Sequence, residues 1–334
     1  MKPAGTAVVV LGMHRAGTSL TAKLLELAGV YLGDELFPAQ PGVNDKGFWE
    51  NRRVVEFNDD LLLATGSSWD DWLSFPSGCF AEGSSLWFQR HLEKLLRRQF
   101  AGRPIWGVKD PRICRLLPLW QRVLPRVADR IAYVLPLRDP GEVAASLQRR
   151  DGFPLRKGYL LWLSHVLEAE RATRGAPRLA CRFEETLAAP ASLYDGLVLS
   201  LGLTGLGDRA RYLREASAFL DAGLRHHGAG AEDKHGDAGR LAERVHNQLT
   251  GEHDDPARAA RLDECNALFR QYESEADAAL IHHIRSIARD RGAYHLIWRR
   301  LQRLYSWRAT RPLRGLERLL RDIPARSEER RVGK

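Results

Sequence analysis

The stretch TAVVVLGMHRAGTSLTAKLLELAG, Thr6 to Gly29, constrains the fold more than any other part of the chain. It opens as a continuous β-branched run, the pattern of a parallel strand buried on both faces, and that run ends at Gly12. Helical periodicity follows from about Gly17 to Ala28, with Gly29 as its stop. Between strand and helix the spacing is Gly12, four residues, Gly17, then the hydroxyl residues Thr18 and Ser19. A glycine turn in that setting presents backbone N–H groups at the positive end of a helix dipole, which suits an anion. His14, Arg15, Ala16, Gly17, Thr18 and Ser19 are therefore the expected anion contacts, Arg15 and the hydroxyls adding donors to the amides. A tight turn with no ligand is the alternative.

The rest of the chain repeats the alternation. RPIWGVKDP and RIAYVLPLRDP read as strands closed by Pro111 and Pro140, and PRLACRFEETL as a fourth strand. Helical patterns fill NRRVVEFNDDLLLAT, SSLWFQRHLEKLLRRQF and most of the chain after Pro190, where the glycine-rich GAGAEDKHGDAG reads as a mobile loop. The expected fold is α/β: a three-layer α/β/α arrangement of the P-loop NTPase type, with a central parallel sheet and a helical C-terminal part. Residues 1–288 form the expected domain and 289–325 a basic amphipathic helical tail. Residues 326–334, RSEERRVGK, look like the translation of a sequencing adapter and are expected to be non-native, with the natural chain continuing differently.

The net charge of +9 raises the question of nucleic acid. Residues 291–334 hold 13 Lys+Arg against 4 Asp+Glu, which leaves 38 of each sign before them. A balanced body lacks the broad basic footprint of a nucleic-acid-binding fold, so no nucleic-acid partner is expected. The tail, with Leu, Ile and Trp at helical spacing between arginines, suits a membrane surface, a partner, the start of a further domain, or packing back on the body. No run of about 18 apolar residues and no signal-peptide pattern occurs, and the expected location is cytoplasmic. Four widely spaced cysteines without a CxxC pair suggest neither disulfides nor a zinc site. The adjacent pairs His226-His227 and His282-His283 diverge on a helix, so no metal is expected.

A triphosphate-cleaving P-loop needs a lysine after its second glycine and a carboxylate-supported Mg²⁺. Here Thr18 stands in that place. A single 5′-phosphate carrying a sulfuryl group has less charge to neutralise and no obvious need for metal.

HRAGTS resembles the 5′-phosphosulfate-binding loop of sulfotransferases, whose pattern is Pro-Lys/Arg-x-Gly-Thr-Thr/Ser, with Arg15 on the basic position and His14 in place of proline. LRDPGEVAAS is similar to the family's 3′-phosphate motif, which implies that Arg138 and Ser146 grip that phosphate. WGVKDPRICRLLPLW resembles the segment where cytosolic members carry Lys-Thr-His: Lys109 keeps the lysine, but Pro111 occupies the histidine position. Tyrosylprotein sulfotransferases carry Lys-Asp-Pro there and use a glutamate soon after the P-loop. The chain is more similar to them, and to bacterial sulfotransferases with a Gly-aromatic-Trp-Glu element, here KGFWEN with Glu50 and Asn51. The resemblance covers roughly Thr6 to Arg225, and Arg225 is a further implied 3′-phosphate contact.

The resemblance implies transfer of a sulfuryl group from 3′-phosphoadenosine 5′-phosphosulfate (PAPS), without metal, to a hydroxyl of a glycan, lipid or small molecule. Arg15, Thr18, Lys109 and the loop amides suit the sulfuryl oxygens and departing phosphate. For the base, Glu50 ranks first, because Phe48 and Trp49 would raise its pKa, then Glu35 and Asp110. Glu50 as a helix cap and Asp110 as a holder of Lys109 or Arg112 are the competing roles. Two other functions stay open: a P-loop kinase or nucleotidase with an eroded lysine, and a non-catalytic anion-binding module of a glycan-assembly protein.

Overall fold

The computed structural model describes residues 5–39, 47–75, 79–80, 82–221, 236–251 and 255–274. The elements run β1 (Thr6–Val10), α1 (Thr18–Leu27), α2 (Arg52–Ala64), α3 (Glu82–Phe100), β2 (Ile105–Lys109), α4 (Ile113–Val127), β3 (Arg130–Leu137), α5 (Pro140–Asp151) and α6 (Leu155–Ala172). They continue through β4 (Arg178–Arg182), α7 (Phe183–Ala188), α8 (Ala191–Leu199), α9 (Arg209–Asp221), α10 (Asp237–Thr250) and α11 (Arg258–Ser274).

The strands form one parallel sheet in the order β2-β1-β3-β4. Alternate residues of each strand point to opposite faces, so the β-branched runs feed two cores at once. Ala7, Val9 and Leu11 pack with Trp106, Val108 and Leu135 against α2, α3 and α4. Val8 and Val10 pack with Ala132 and Val134 against α1, α8 and α9. A third cluster joins α5, α6, α10 and α11 to Met13 and Ala16 at the end of β1. The α/β/α layering is thus the one expected from the strand–helix alternation, with all four expected strands in place.

Register aligns the carboxyl ends of the strands. Val10 of β1 sits opposite Lys109 of β2 and Val134 of β3, and Leu137 of β3 opposite Arg182 of β4. Ligands of such sheets bind outside those ends. Gly236 to Gly239, expected within a mobile loop, instead cap and open α10; residues 228–235 of that stretch, Arg225, both histidine pairs and the tail lie outside the described residues. Among the described residues no helix is long and apolar enough to cross a membrane.

Candidate active site

Each strand delivers a side chain or loop to the same end of the sheet. The loop after β1 reverses through two left-handed residues, Arg15 at φ 70° and Gly17 at φ 87°, before α1 begins. A Cβ on Gly17 would lie 2.4 Å from Phe183 Cδ2, so both backbone hand and space require glycine. Phe183 follows directly on β4. The first turn of α1 has neither a side-chain cap nor an acidic residue, which leaves its N–H dipoles available to an outside anion.

Basic side chains gather around this loop. Arg15 Nε donates to Ser146 Oγ at 2.8 Å, joining residues 131 positions apart. Arg138, just past β3, donates through Nη1 to the Arg15 carbonyl at 3.2 Å and pairs with Glu142 Oε2 at 2.7 Å. Its guanidinium lies 4.5 Å over the Phe183 ring. Asp139 caps α5 by accepting from the Glu142 amide, Pro140 fills the first turn, and Ser146 comes to lie on the second turn, facing the loop. Burial, then the neighbouring Arg150 and Arg138, hold the Arg15 guanidinium below its ordinary pKa. The cluster therefore holds positive charge that an anion would relieve.

On the other side of the loop lies a buried ion pair. Lys109, the last residue of β2, is 3% exposed; its Nζ is 2.7 Å from Glu50 Oε1 and 3.2 Å from Ser19 Oγ. Ser19 Oγ donates in turn to the Phe48 carbonyl at 3.3 Å. Glu50 is delivered by a short antiparallel ribbon: the Phe37 amide donates to the Glu50 carbonyl, the Arg52 amide to the Glu35 carbonyl, and Leu36 bridges Asn51. Trp49 turns that ribbon with φ 57°, a costly value for a bulky residue, and Lys23 of α1 stands 4.5 Å over its ring. Asn51, not Glu50, caps α2, accepting from the amides of Arg53 and Val54. Burial pushes the Glu50 carboxyl above its ordinary pKa despite the opposing pull of Lys109.

The other two carboxylates are placed differently. Asp110 is fully buried; Oδ1 accepts from the backbone and Nη1 of Arg112 at 3.1 and 2.9 Å, and Oδ2 from Asn58 at 2.8 Å. Asn58 is itself fixed by Trp120 Nε1 at 3.0 Å. Those bonds engage Asp110 with Arg112, which also pairs with Asp59 at 2.6 Å, the arrangement expected of its competing role as a holder of that arginine. Glu35 is 42% exposed and pairs with Arg53 at 3.1 Å, facing solvent where Glu50 faces Lys109.

His14 lies half-buried, edge-on to Trp69 at 4.8 Å, its Nε2 buried with no hydrogen-bond partner among the described residues. Burial, then Arg112, His165, Arg150 and Lys109, keep its pKa well below the ordinary value, so the imidazole is neutral. Thr18 and Ala16 are buried in the loop. Sequence reasoning missed Phe183, Arg150, Trp69 and Lys23, none of which carries a spacing signal. Among the described residues no cluster of His, Cys, Asp and Glu is arranged to hold a metal ion.

No protein-family model and no curated protein matches the chain. Among solved structures it is similar to the sulfotransferase domain of the Synechococcus PCC 7002 olefin synthase, at 16% identity and TM-score 0.42 over 83% of this chain and 97% of that one. It is also similar to the sulfotransferase domain from the curacin biosynthetic pathway, at 13% identity and TM-score 0.37 over 63% and 80%. A third is the sulfotransferase STF9 from Mycobacterium avium, at 14% identity and TM-score 0.36 over 82% and 78%. Likeness at that level says nothing of chemistry, which is a property of the residues at the site.

Proposed function

We propose that the protein is a sulfotransferase that moves a sulfuryl group from PAPS to a hydroxyl of a glycan, lipid or small-molecule acceptor, without a metal. The observation that carries this reading is the Arg15–Ser146 hydrogen bond of 2.8 Å. It joins the loop suited to a 5′-phosphosulfate to the Arg138/Ser146 pair suited to a 3′-phosphate, so two anion sites lie within reach of one nucleotide. A nucleoside triphosphate has no use for the second site and lacks its lysine at Thr18.

On this reading the loop amides, Arg15 and Thr18 hold the phosphosulfate, and Arg138 and Ser146 the 3′-phosphate. The acceptor oxygen attacks sulfur as the bond from sulfur to the 5′-phosphate oxygen breaks. Glu50 takes the acceptor's proton; its burial raises its basicity toward that task. Lys109, close to Ser19 of the loop, offers its charge to the departing phosphate oxygen, and protonation of Glu50 loosens its hold on that ammonium. We place the reaction in the cytoplasm, with the basic tail meeting a membrane surface, a partner or a further domain.

The test is transfer of labelled sulfate from PAPS to a panel of glycans, lipids and small alcohols in the presence of chelator, beside calorimetry with adenosine 3′,5′-bisphosphate and ATP. Sulfate transfer and metal-free bisphosphate binding are the expected results. Tight Mg²⁺-dependent ATP binding with no bisphosphate binding would overturn the reading, and bisphosphate binding with no transfer to any acceptor would favour a non-catalytic anion-binding module.

A further inference from the structure

A cavity of about 510 Å³ opens between α4, α6, α11 and the residues Ser74, Phe75, Cys79 and Phe80. None of the loop residues 12–19, nor Glu50, Lys109, Arg138 or Ser146, lines it. Its volume falls in the range of small-molecule sites, about 300–1,000 Å³. Phe75, Phe80, Leu117, Pro118 and Ala172 supply an apolar wall, with the two phenylalanine rings edge-to-face at 4.9 Å.

The charges in the wall do not cancel. Arg115 is neutralised by Glu168 at 2.8 Å, and its remaining nitrogens donate to the Asp71 and Leu73 carbonyls. Arg270 is neutralised by Glu273 at 2.7 Å, and that carboxylate also accepts from the amide and hydroxyl of Ser74. Arg122 and Arg171 are left: among the described residues Arg122 donates to the Phe80 carbonyl and has no ion pair, and none engages Arg171. Both line the cavity, Arg122 from α4 and Arg171 from α6, and a 2.6 Å hydrogen bond from Gln121 Nε2 to the Ala172 carbonyl joins those helices beside them. Two exposed guanidinium groups with no counter-charge among the described residues, at the edge of an apolar wall, describe a complementary ligand: an anionic head on an apolar body.

We propose that this cavity binds a small anionic amphiphile, with a carboxylate or sulfate head between Arg122 and Arg171 and an aryl or short acyl body against Phe75, Phe80 and Leu117. The site is separate from the one assigned to PAPS and does not depend on that assignment.

The full chain is titrated calorimetrically with octanoate, octyl sulfate and octan-1-ol, with and without saturating adenosine 3′,5′-bisphosphate. One saturable site for either anion is expected, with the alcohol weaker by about ten-fold, the scale of one charge-assisted contact. The stronger of the two anions identifies the head group. Arg122→Gln/Arg171→Gln, both on the surface, should erase the preference over the alcohol, and Ala172→Phe, filling the cavity from its rim, should abolish binding in a protein whose thermal midpoint shows it folded. Should Ala172→Phe not fold, the double arginine variant decides alone. The proposal is overturned if neither anion saturates, if the alcohol binds as well, if the arginine variant keeps the preference, if folded Ala172→Phe still binds, or if the bisphosphate displaces the anion.

Discussion

Lys109 and Glu50 face each other across 2.7 Å in a pocket that leaves them 3% and 7% exposed, and Lys109 also reaches Ser19 of the loop. Removing one partner of a buried pair strands the other charge, at a cost of about 3–5 kcal/mol. Lys109→Met should therefore lower unfolding free energy on that scale in urea. Glu50→Gln/Lys109→Met should lose less than the two single changes together, and strict additivity would show that the pair is not coupled.

The same pair sets the expectation for catalysis. Glu50→Gln keeps shape and a hydrogen bond to Lys109 but cannot take a proton, so kcat should fall by about 10²–10⁴-fold with nucleotide affinity unchanged. Because its carboxyl titrates above the ordinary range, the acid limb of the wild-type rate profile should lie above that of an exposed glutamate. Glu35→Gln should leave kcat nearly unchanged, since that carboxylate is solvent-facing. Asp110→Asn should show its effect as a lower thermal midpoint. A collapse of turnover in Glu35→Gln beside an active Glu50→Gln would transfer the role.

Arg138 and Ser146 are tested by nucleotide choice. Arg138→Ala should weaken adenosine 3′,5′-bisphosphate by about 1.5–3 kcal/mol, the worth of a hydrogen bond to a charged group, and barely alter adenosine 5′-monophosphate. Ser146→Ala should do the same more weakly while also removing the Arg15 Nε–Ser146 Oγ hydrogen bond. Calorimetric titration of both nucleotides against both variants separates this from a general loss of positive charge, which would weaken the two ligands equally.

His165 predicts an acid-sensitive fold. It is fully buried on α6, with Nδ1 2.8 Å from the Leu161 carbonyl and Nε2 without a partner among the described residues. Burial, then Arg115, depress its pKa to about 3. The unfolded chain binds this proton below about pH 6.5 and the native chain does not, so stability present above that value is lost as pH falls toward 3. Denaturant titrations at pH 7 and 4.5 should differ by less in His165→Phe than in the wild type, by about 2–3 kcal/mol. An unchanged difference would mean that His165 is not the group responsible. His14, depressed in the same direction, adds to the wild-type slope in both proteins.

What the sequence determined by itself is what neighbours along the chain decide. The β-branched run of β1, the Gly12 and Gly17 spacing and the helix after it are local: strand and helix periods, and a turn that only glycine can close, are written in adjacent residues. Pro140 opening α5, and Ser146 one turn and a half further on, follow from the same local rules. The tertiary structure decided what depends on neighbours in space. The backbones of Glu35 and Glu50 lie in one ribbon, yet only Glu50 is turned into a low-dielectric pocket against Lys109, 59 positions away. Asp110 looks like a free carboxylate until Asn58 and Arg112 fill its lone pairs, and Gly17 looks like a turn residue until Phe183 closes over it. Burial and partner charges set a side chain's pKa and reach, and both come from segments that the fold alone brings together.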